Sequence, residues 1–185
     1  QGYENMKTLV TVSGVSEGLC GASRPGHFQG VATVVAKLFH LVQPDRAYFG
    51  QKDAQQVAVI RQMVMDLNWP MDIVAVPIVR EADGLALSSR NVYLSQEERT
   101  AALVLSRALQ KAKTVLQAGE RRGAVVEAAA KEELAQEALA AVEYVKLVDA
   151  ATMQPVTELQ GPAVLALAVR IGKTRLIDNL LWEEC

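Results

Sequence analysis

Residues 49–56, with the sequence FGQKDAQQ, place a glycine, a lysine, a carboxylate and amides on one predicted strand-to-helix turn. In an open α/β sheet, ligands bind at such turns, outside the carboxyl ends of the strands. Gly50 lets a ligand approach the backbone closely, and the free N–H groups of a new helix favour negative charge. The pattern therefore predicts an anion-binding turn, although an ordinary turn with Asp53 as N-cap and Lys52 in solvent fits it equally well.

A second polar turn, at residues 80–91 with the sequence READGLALSSRN, changes that balance. Ser88 and Ser89 offer hydroxyl groups, and Arg90 can bind a phosphate through two parallel hydrogen bonds. A solvated surface loop is the common alternative for such a segment. Together with Lys52, however, these side chains form a set of donors suited to a polyphosphate.

Other side chains limit the kinds of ligand and reaction that the site could support. Asp53 and Gln56 supply an acceptor and an amide, which suit sugar or substrate hydroxyls. No His/Cys cluster has zinc spacing, and no serine lies in a nucleophile-elbow context. The Gly-Lys-Thr at residues 172–174 lies too far from Gly161 for a phosphate loop, so we predict that Lys173 lies in a turn between strands.

Composition excludes several classes of protein. Half of the 185 residues are apolar, which is enough for one large domain or two small ones. A formal net charge of −2 provides no positive electrostatic field that would attract nucleic acid or an anionic membrane. No apolar run approaches the roughly 18 residues that a membrane span needs. Cys20 and Cys185 do not form a disulfide framework, so we expect a reducing compartment and a cytoplasmic location.

The first half of the chain predicts βα units. Residues 7–12 have the composition of a strand, residues 13–30 that of a glycine-rich loop or a broken helix, and residues 31–42 the apolar period of a helix. A short buried strand at 47–49 leads into a helix at 53–67. A continuous apolar run at 73–79 follows, typical of a strand buried on both faces of a parallel sheet.

The composition shifts at about Leu94, where Ser95 and Glu98 form a capping box. We predict a helix from there to Gly119, and further elements follow it. They are a helix at 124–140 and strands at 142–148, 163–169 and 176–179, in a small antiparallel sheet. The residues alone thus predict a nucleotide-binding α/β domain with a smaller appended domain.

Four motifs, in this order along the chain, give the sequence a specific resemblance. They are GASRPGHF at 21–28, PDRAYFGQKDAQQ at 44–56, DGLALSSRN at 83–91 and RLIDN at 175–179. The chain resembles the pantothenate synthetases (pantoate–β-alanine ligases) over essentially all of its 185 residues.

The resemblance implies an α/β fold and a reaction. Residues 1–93 would be the remainder of a Rossmann-like nucleotidyltransferase domain, and residues 94–185 a smaller α+β domain that closes over the site. The carboxylate of pantoate would attack the α-phosphate of ATP, giving pantoyl adenylate and pyrophosphate. The amine of β-alanine would then displace AMP to give pantothenate. Mg²⁺ would accompany the nucleotide, and the family implies a homodimer.

The resemblance also assigns site residues. Lys52 would face the phosphates, Asp53 the ribose hydroxyls and Val79 the adenine through its backbone, while Gln56 would hold pantoate. His27 and Arg24 receive lining roles only, and no residue is assigned as a metal ligand. The residues implied in ATP binding are Gly50, Gln51, Lys52, Asp53, Val79, Leu87, Ser88, Ser89 and Arg90, of which Lys52, Ser88, Ser89 and Arg90 are the implied catalytic set.

One departure from the family is large. Its members carry a His-x-Gly-His helix start and an upstream glutamine that are not present in these residues, and neither His27 nor His40 replaces them. The chain therefore resembles a member lacking about its first third, and we expect it alone to adenylate pantoate poorly. Gln51, where glutamate is usual, is a mild change.

Two alternatives stay open. Another adenylating nucleotidyltransferase of the same superfamily would be distinguished by the acid that supports pyrophosphate exchange. A non-catalytic nucleotide-binding fragment or oligomerisation module is the other. The loop at Ser88 to Arg90 argues against this second alternative, and loss of ATP binding in Lys52→Ala would argue further against it.

Overall fold

The computed structural model describes residues 6–183, which form an α/β structure with two sheets; Cys185 lies outside the described residues. Two short 3₁₀ helices span Gln51–Asp53 and Ser89–Tyr93. The helices are α1 Leu19–Ser23, α2 His27–Val42, α3 Ala54–Asp66, α4 Gln96–Ala102, α5 Val104–Gln117 and α6 Gly123–Leu134. The strands are β1 Arg46–Gly50, β2 Asp72–Val76, β3 Ala140–Asp149, β4 Ala163–Ile171 and β5 Thr174–Trp182.

The predicted βαβ unit is confirmed, but the prediction that its first strand is buried is wrong, because the residues of β1 alternate between exposed and half-buried. β1 and β2 pair in parallel, with Arg46 opposite Asp72 and Gly50 opposite Val76, and α3 connects them. Ile60 on α3 is fully buried. The carboxyl end of β1 therefore opens directly into the turn that carries the first polar motif.

The predicted strand at residues 7–12 is wrong. Its backbone pairs with no strand among the described residues, and the segment is bonded to α2 instead. The Val10 N–H donates to Thr33 Oγ1 at 2.9 Å, and Gln29 Nε2 donates to Thr11 Oγ1 at 2.9 Å. The following loop contains α1, and α2 starts at His27 rather than Val31.

The apolar run at 73–79 is shorter as a strand than predicted, and it is not buried on both faces. β2 ends at Val76, because Pro77 has no N–H to donate to a strand ladder. Its central residues are half-buried and its ends exposed. Ile78 and Val79 belong instead to the loop before residue 80, where Leu87 N donates to Val79 O at 2.9 Å.

The second half follows the prediction more closely. The capping box at the start of α4 is present, with Ser95 and Glu98 each accepting from the other's backbone. The predicted long helix is interrupted at Leu103, and α6 ends at Leu134, so Ala140 belongs to β3. β3, β4 and β5 form the predicted antiparallel sheet, with Lys173 in the turn between β4 and β5.

Two apolar cores meet at β4. Alternate residues, beginning with Ala163, pack with α5 and α6, whereas Val164 and Ala166 pack with Val59 and Ile60 of α3. The sheet of the second half therefore lies against the first half. Among residues 6–183, none of the helices is both long and apolar enough to cross a membrane.

Candidate active site

A cavity of about 220 Å³ lies between the two polar turns, the start of α2 and the β5 strand. The predicted site residues that line it are Lys52, Asp53, Gln56, Ser88, Ser89 and Arg90. Side chains from two turns that are distant in sequence therefore meet, as the strand-end argument predicts.

The remaining predicted residues lie outside this lining. Gln51 lines a neighbouring cavity beside α3 and β2, and Gly50 ends β1 with open space where a side chain would be. Val79 and Leu87 are exposed, at 61% and 55%. The Leu87 N–H donates to the Val79 carbonyl oxygen, so the two residues lie side by side at the base of the loop. Their roles in ATP binding stay predictions.

The first turn is held from β5 rather than by its own cap. Asp53 occupies the N-cap position of α3, but its side chain makes no capping hydrogen bond. Instead, Asn179 Nδ2 donates to the carbonyl oxygens of Gln51 and Lys52, at 2.9 and 3.0 Å. The capping interpretation of Asp53 is therefore wrong, and its carboxylate lines the cavity.

The second turn is held by several polar contacts. Ser88 Oγ accepts from Arg90 N at 3.2 Å and caps the short helix there. Asn91 Nδ2 donates to Glu81 at 2.6 Å and to Ala86 O at 3.1 Å. The hydrogen bonds from Asn91 and then Arg99 lower the pKa of the Glu81 carboxyl. Because these bonds close the loop on itself, Arg90 is presented from a fixed base.

An ion pair joins this loop to β5. Arg80 donates to both carboxylate oxygens of Asp178, at 2.7 and 3.0 Å. The Asp178 side chain is only 2% exposed and that of Arg80 is 34% exposed. The negative charge of Asp178 is therefore balanced by Arg80, although Asp178 lines the cavity.

His27 and Arg24 both line the cavity, in the predicted lining position. Arg24 Nη1 lies 3.1 Å from His27 Nε2. Burial, and then the charge of Arg24, lower the pKa of His27 despite the opposing carboxylate of Asp53. The imidazole is thus biased toward its neutral form.

Cys20, Tyr144 and Arg175 also line the cavity, and their association was not predicted from the sequence. Cys20 Sγ lies 3.1 Å from Tyr144 Oη, and Arg175 Nε donates to Glu143 at 2.7 Å. Burial disfavours the charge of Arg175, but its hydrogen bonds to Glu143 and Cys20 raise its pKa overall. Burial also raises the pKa of Tyr144. Arg175 belongs to the RLIDN motif, which was the available signal; nothing in the sequence pairs Cys20 with Tyr144.

The electrostatic balance of the cavity favours an anion. The lining carries the cations Arg24, Lys52, Arg90 and Arg175 and the carboxylates Asp53 and Asp178. Asp178 is paired with Arg80, and Arg175 is paired with Glu143, which is outside the lining. The remaining balance is three cations against the carboxylate of Asp53. Fixed cations and hydroxyl donors in a concave site stabilise phosphate charge. Within residues 6–183, no group of three or more His, Cys, Asp or Glu side chains could hold a metal ion.

The parallel βαβ unit, the cation-lined turns and the separate antiparallel sheet together define a nucleotidyltransferase-like α/β protein. The comparison with known families is more specific. Residues 2–181 match the pantoate-beta-alanine ligase family, and the chain belongs to that family.

Relatives in this family align with most of the chain. The pantothenate synthetase of Heliobacterium modesticaldum is 62% identical over 95% of this chain and 63% of its own length. That of Moorella thermoacetica is 56% identical over 95% of this chain and 62% of its own length. The chain therefore spans somewhat less than two thirds of the length of the curated relatives it matches.

Solved structures agree with the fold. The pantothenate synthetase of Thermus thermophilus superposes with a TM-score of 0.91 at 49% identity, covering 96% of this chain and 64% of that one. A pantoate-beta-alanine ligase of Francisella tularensis, described as complexed with beta-gamma ATP and beta-alanine, gives a TM-score of 0.68 at 30% identity. That match covers 94% of this chain and 58% of the other.

Proposed function

We propose that this chain carries the ATP- and pantoate-binding part of an enzyme that condenses pantoate with β-alanine. The observation that carries the proposal is the cavity lined jointly by Lys52, Ser88, Ser89 and Arg90. Family membership over residues 2–181 supplies the reaction class, and the ligands named for the Francisella protein support the substrates.

In the first step, a carboxylate oxygen of pantoate attacks the α-phosphorus of ATP, and pyrophosphate leaves. Negative charge builds on the phosphate oxygens, where Lys52, Arg90 and the hydroxyls of Ser88 and Ser89 stabilise it. Fixed donors and cations of this kind cost no reorganisation during the reaction. Gln56 holds pantoate in line with the α-phosphate, which supplies further rate acceleration by orientation.

In the second step, the amine of β-alanine attacks the carbonyl carbon of pantoyl adenylate. The C–O bond to the phosphate breaks, AMP leaves, and the amine loses its proton as the amide forms. Asp53 holds the ribose hydroxyls and the Val79 backbone the adenine, so AMP stays in place until the amide has formed. Gly50, Gln51 and Leu87 complete the nucleotide contacts.

The fit to Mg²⁺ is through the nucleotide. Mg²⁺ commonly binds substrate phosphates and keeps several of its own water molecules. When bound with the nucleotide it would neutralise phosphate charge, and we assign it no protein ligand. We further propose a cytoplasmic homodimer whose nucleotide domain, 1–93, is closed over by a smaller domain, 94–185.

The 185 residues taken by themselves are proposed to be impaired. They contain two histidines, His27 and His40, and neither belongs to a His-x-Gly-His motif. His27 belongs to the motif at residues 21–28 and lies beside Arg24, and His40 is exposed on α2, so we assign the role of that motif to neither.

Pantoate-dependent ATP–pyrophosphate exchange tests the proposal. The purified chain, with its intact mass verified, is assayed alone and after addition of the N-terminal segment of the Heliobacterium relative that the chain does not match. We expect little exchange alone, clear exchange after addition, and a drop of about 10²- to 10³-fold in Lys52→Ala. Lys173→Ala, which removes an exposed lysine outside the cavity lining, is the matched control.

Each outcome has a distinct meaning. Normal exchange by the verified chain alone contradicts the impairment but supports the reaction. Exchange supported by another acid rather than pantoate favours the alternative nucleotidyltransferase. No exchange in the complemented sample, together with no ATP binding by the chain, contradicts the proposed function.

A further inference from the structure

Two adjacent polar residues, Asp178 and Asn179, are buried in the middle of β5, at 3% and 4% exposed. Their partners across the sheet are Leu167 and Ala166, so the surrounding surface is apolar. A buried polar group is unfavourable unless its hydrogen bonds are satisfied. Both side chains bond to the polar turns of the cavity, and Asp178 Oδ1 also accepts from the backbone N–H of Asn179 at 2.8 Å.

Asn179 is bonded to the first turn by all of its side-chain polar atoms. Nδ2 donates to the carbonyl oxygens of Gln51 and Lys52, and Oδ1 accepts from Gln51 Nε2 at 3.3 Å. Two successive peptide groups are thereby fixed relative to β5. Because the turn has no capping bond from Asp53, the position of the Lys52 Cα depends on these contacts.

Asp178 is bonded to the second turn. Its carboxylate accepts two hydrogen bonds from the Arg80 guanidinium, and Arg80 Nη1 also donates to Gly84 O at 3.1 Å. Arg80 bridges to Ala86 in the backbone, immediately before the segment that carries Arg90. The ion pair therefore fixes the base of the loop that presents Arg90.

We propose that Asp178 and Asn179 are positioning residues, each of which holds one of the two site cations in place. Asn179 holds Lys52, and Asp178 holds Arg90 through Arg80, from adjacent positions of one strand. This inference rests on the proposed nucleotide site, because it concerns how that site is held. A polyphosphate that contacts both cations is sensitive to the position of each.

Double-mutant cycles on the full 185-residue chain test the inference. ATP dissociation constants are measured by NMR titration, which reaches the millimolar range. Asn179→Ala is combined with Lys52→Ala, and Asp178→Asn with Arg90→Ala. We expect Asn179→Ala to weaken ATP binding about tenfold when Lys52 is present and by less than about twofold when it is absent, since contacting residues couple by this amount.

The crossed pairs are the internal control. The crossed pairs combine Asn179→Ala with Arg90→Ala, and Asp178→Asn with Lys52→Ala. In these pairs we expect the fold losses of ATP affinity to multiply, because each positioning residue acts on its own turn. Leu181→Ala, on the same strand but outside the cavity lining, should leave ATP binding unchanged. A general loss of structure would instead lower binding in every background alike, which thermal unfolding of each variant monitors.

Three results overturn the inference. They are unchanged ATP affinity in Asn179→Ala, multiplicative losses in the matched pairs, and equal coupling in matched and crossed pairs. If Asn179→Ala does not fold, Asn179→Ser, which keeps one donor, is judged by the same criteria. If the unchanged chain does not bind ATP, the proposed function falls too, whereas ATP binding with uncoupled variants overturns the positioning roles alone.

Discussion

The two sheets of this chain differ sharply in burial. In β4, every residue except Arg170 is buried, whereas none of the residues of β2 is. Side chains alternate between the faces of a strand, and both faces of β4 are covered, one by α5 and α6 and the other by the first half. The parallel sheet has no comparable cover among the described residues.

This difference in burial separates two tasks, which are contact with the ligand and support of the site. The site cations Lys52 and Arg90 are in turns of the less buried half, where they reach the cavity, while the densely packed half supplies the strand to which both turns are hydrogen-bonded. Functional loops are commonly taken from the less stable part of a structure. Here the stable sheet limits their movement through Asp178 and Asn179.

Core truncation should show the largest contrast between the halves. Leu165→Ala, in β4, is expected to lower the free energy of unfolding by about 2 to 5 kcal/mol, because it leaves a cavity in a closed core. Val74→Ala, in half-buried β2, should cost about 1 kcal/mol. Urea unfolding at constant m-value measures both, and similar losses at the two sites would refute the contrast.

Two glycines next to backbone carbonyls offer a sharper comparison. A Cβ at Gly123 would overlap the carbonyl oxygen of Val156, and one at Gly21 that of Ser16. Gly123→Ala should cost about 1 to 3 kcal/mol of stability by overpacking and leave ATP binding unchanged. Gly21→Ala should displace α1 beside Cys20 and weaken ATP binding. Equal effects of both variants on ATP binding would contradict the division of tasks.

The N-caps of α4 and α3 give a smaller contrast. Ser95→Ala removes a complete capping box and should cost about 1 kcal/mol. Asp53→Ala removes a side chain that makes no capping bond, so we expect a much smaller loss of stability. Thermal unfolding of both variants measures these losses of stability. Thr114→Ala, exposed on α5, is the control. A larger loss in Asp53→Ala would restore the capping role of that residue.

The smallest effect concerns pH. Because the pKa of His27 is lowered in the folded chain, the unfolded state binds more protons as the pH falls below the ordinary histidine value of about 6.5. Stability should therefore decrease as the pH falls through the interval between that value and the folded pKa.

Urea midpoints at about pH 8 and about pH 5, on either side of the ordinary histidine pKa, measure this dependence. His27→Gln should reduce the difference between the two midpoints, and His40→Gln, on the exposed side of α2, is the matched control. A difference that is unchanged in His27→Gln would show that the environment of this histidine in the folded chain is not the cause.

The sequence alone predicted the elements whose signals are local. The βαβ unit around α3, the capping box of Ser95 and Glu98, and the antiparallel strands of the second half were all visible in short windows. Apolar period, capping pairs and turn residues act within a few positions, so they can be recognised without knowing the fold. The two polar turns were placed together by the general rule for parallel strand ends.

The tertiary structure decided what depends on contacts between distant residues. Residues 7–12 have strand composition, but the segment pairs with no strand among the described residues. It is bonded to α2 instead, through the Val10 N–H to Thr33 and through the side chains of Gln29 and Thr11. The exposure of β2 depends on how many neighbours its sheet has, which no window of sequence contains. Asn179 meets Gln51 across 128 positions, and Cys20 meets Tyr144 across 124. Such contacts leave no periodic signal, because they form only when whole elements pack.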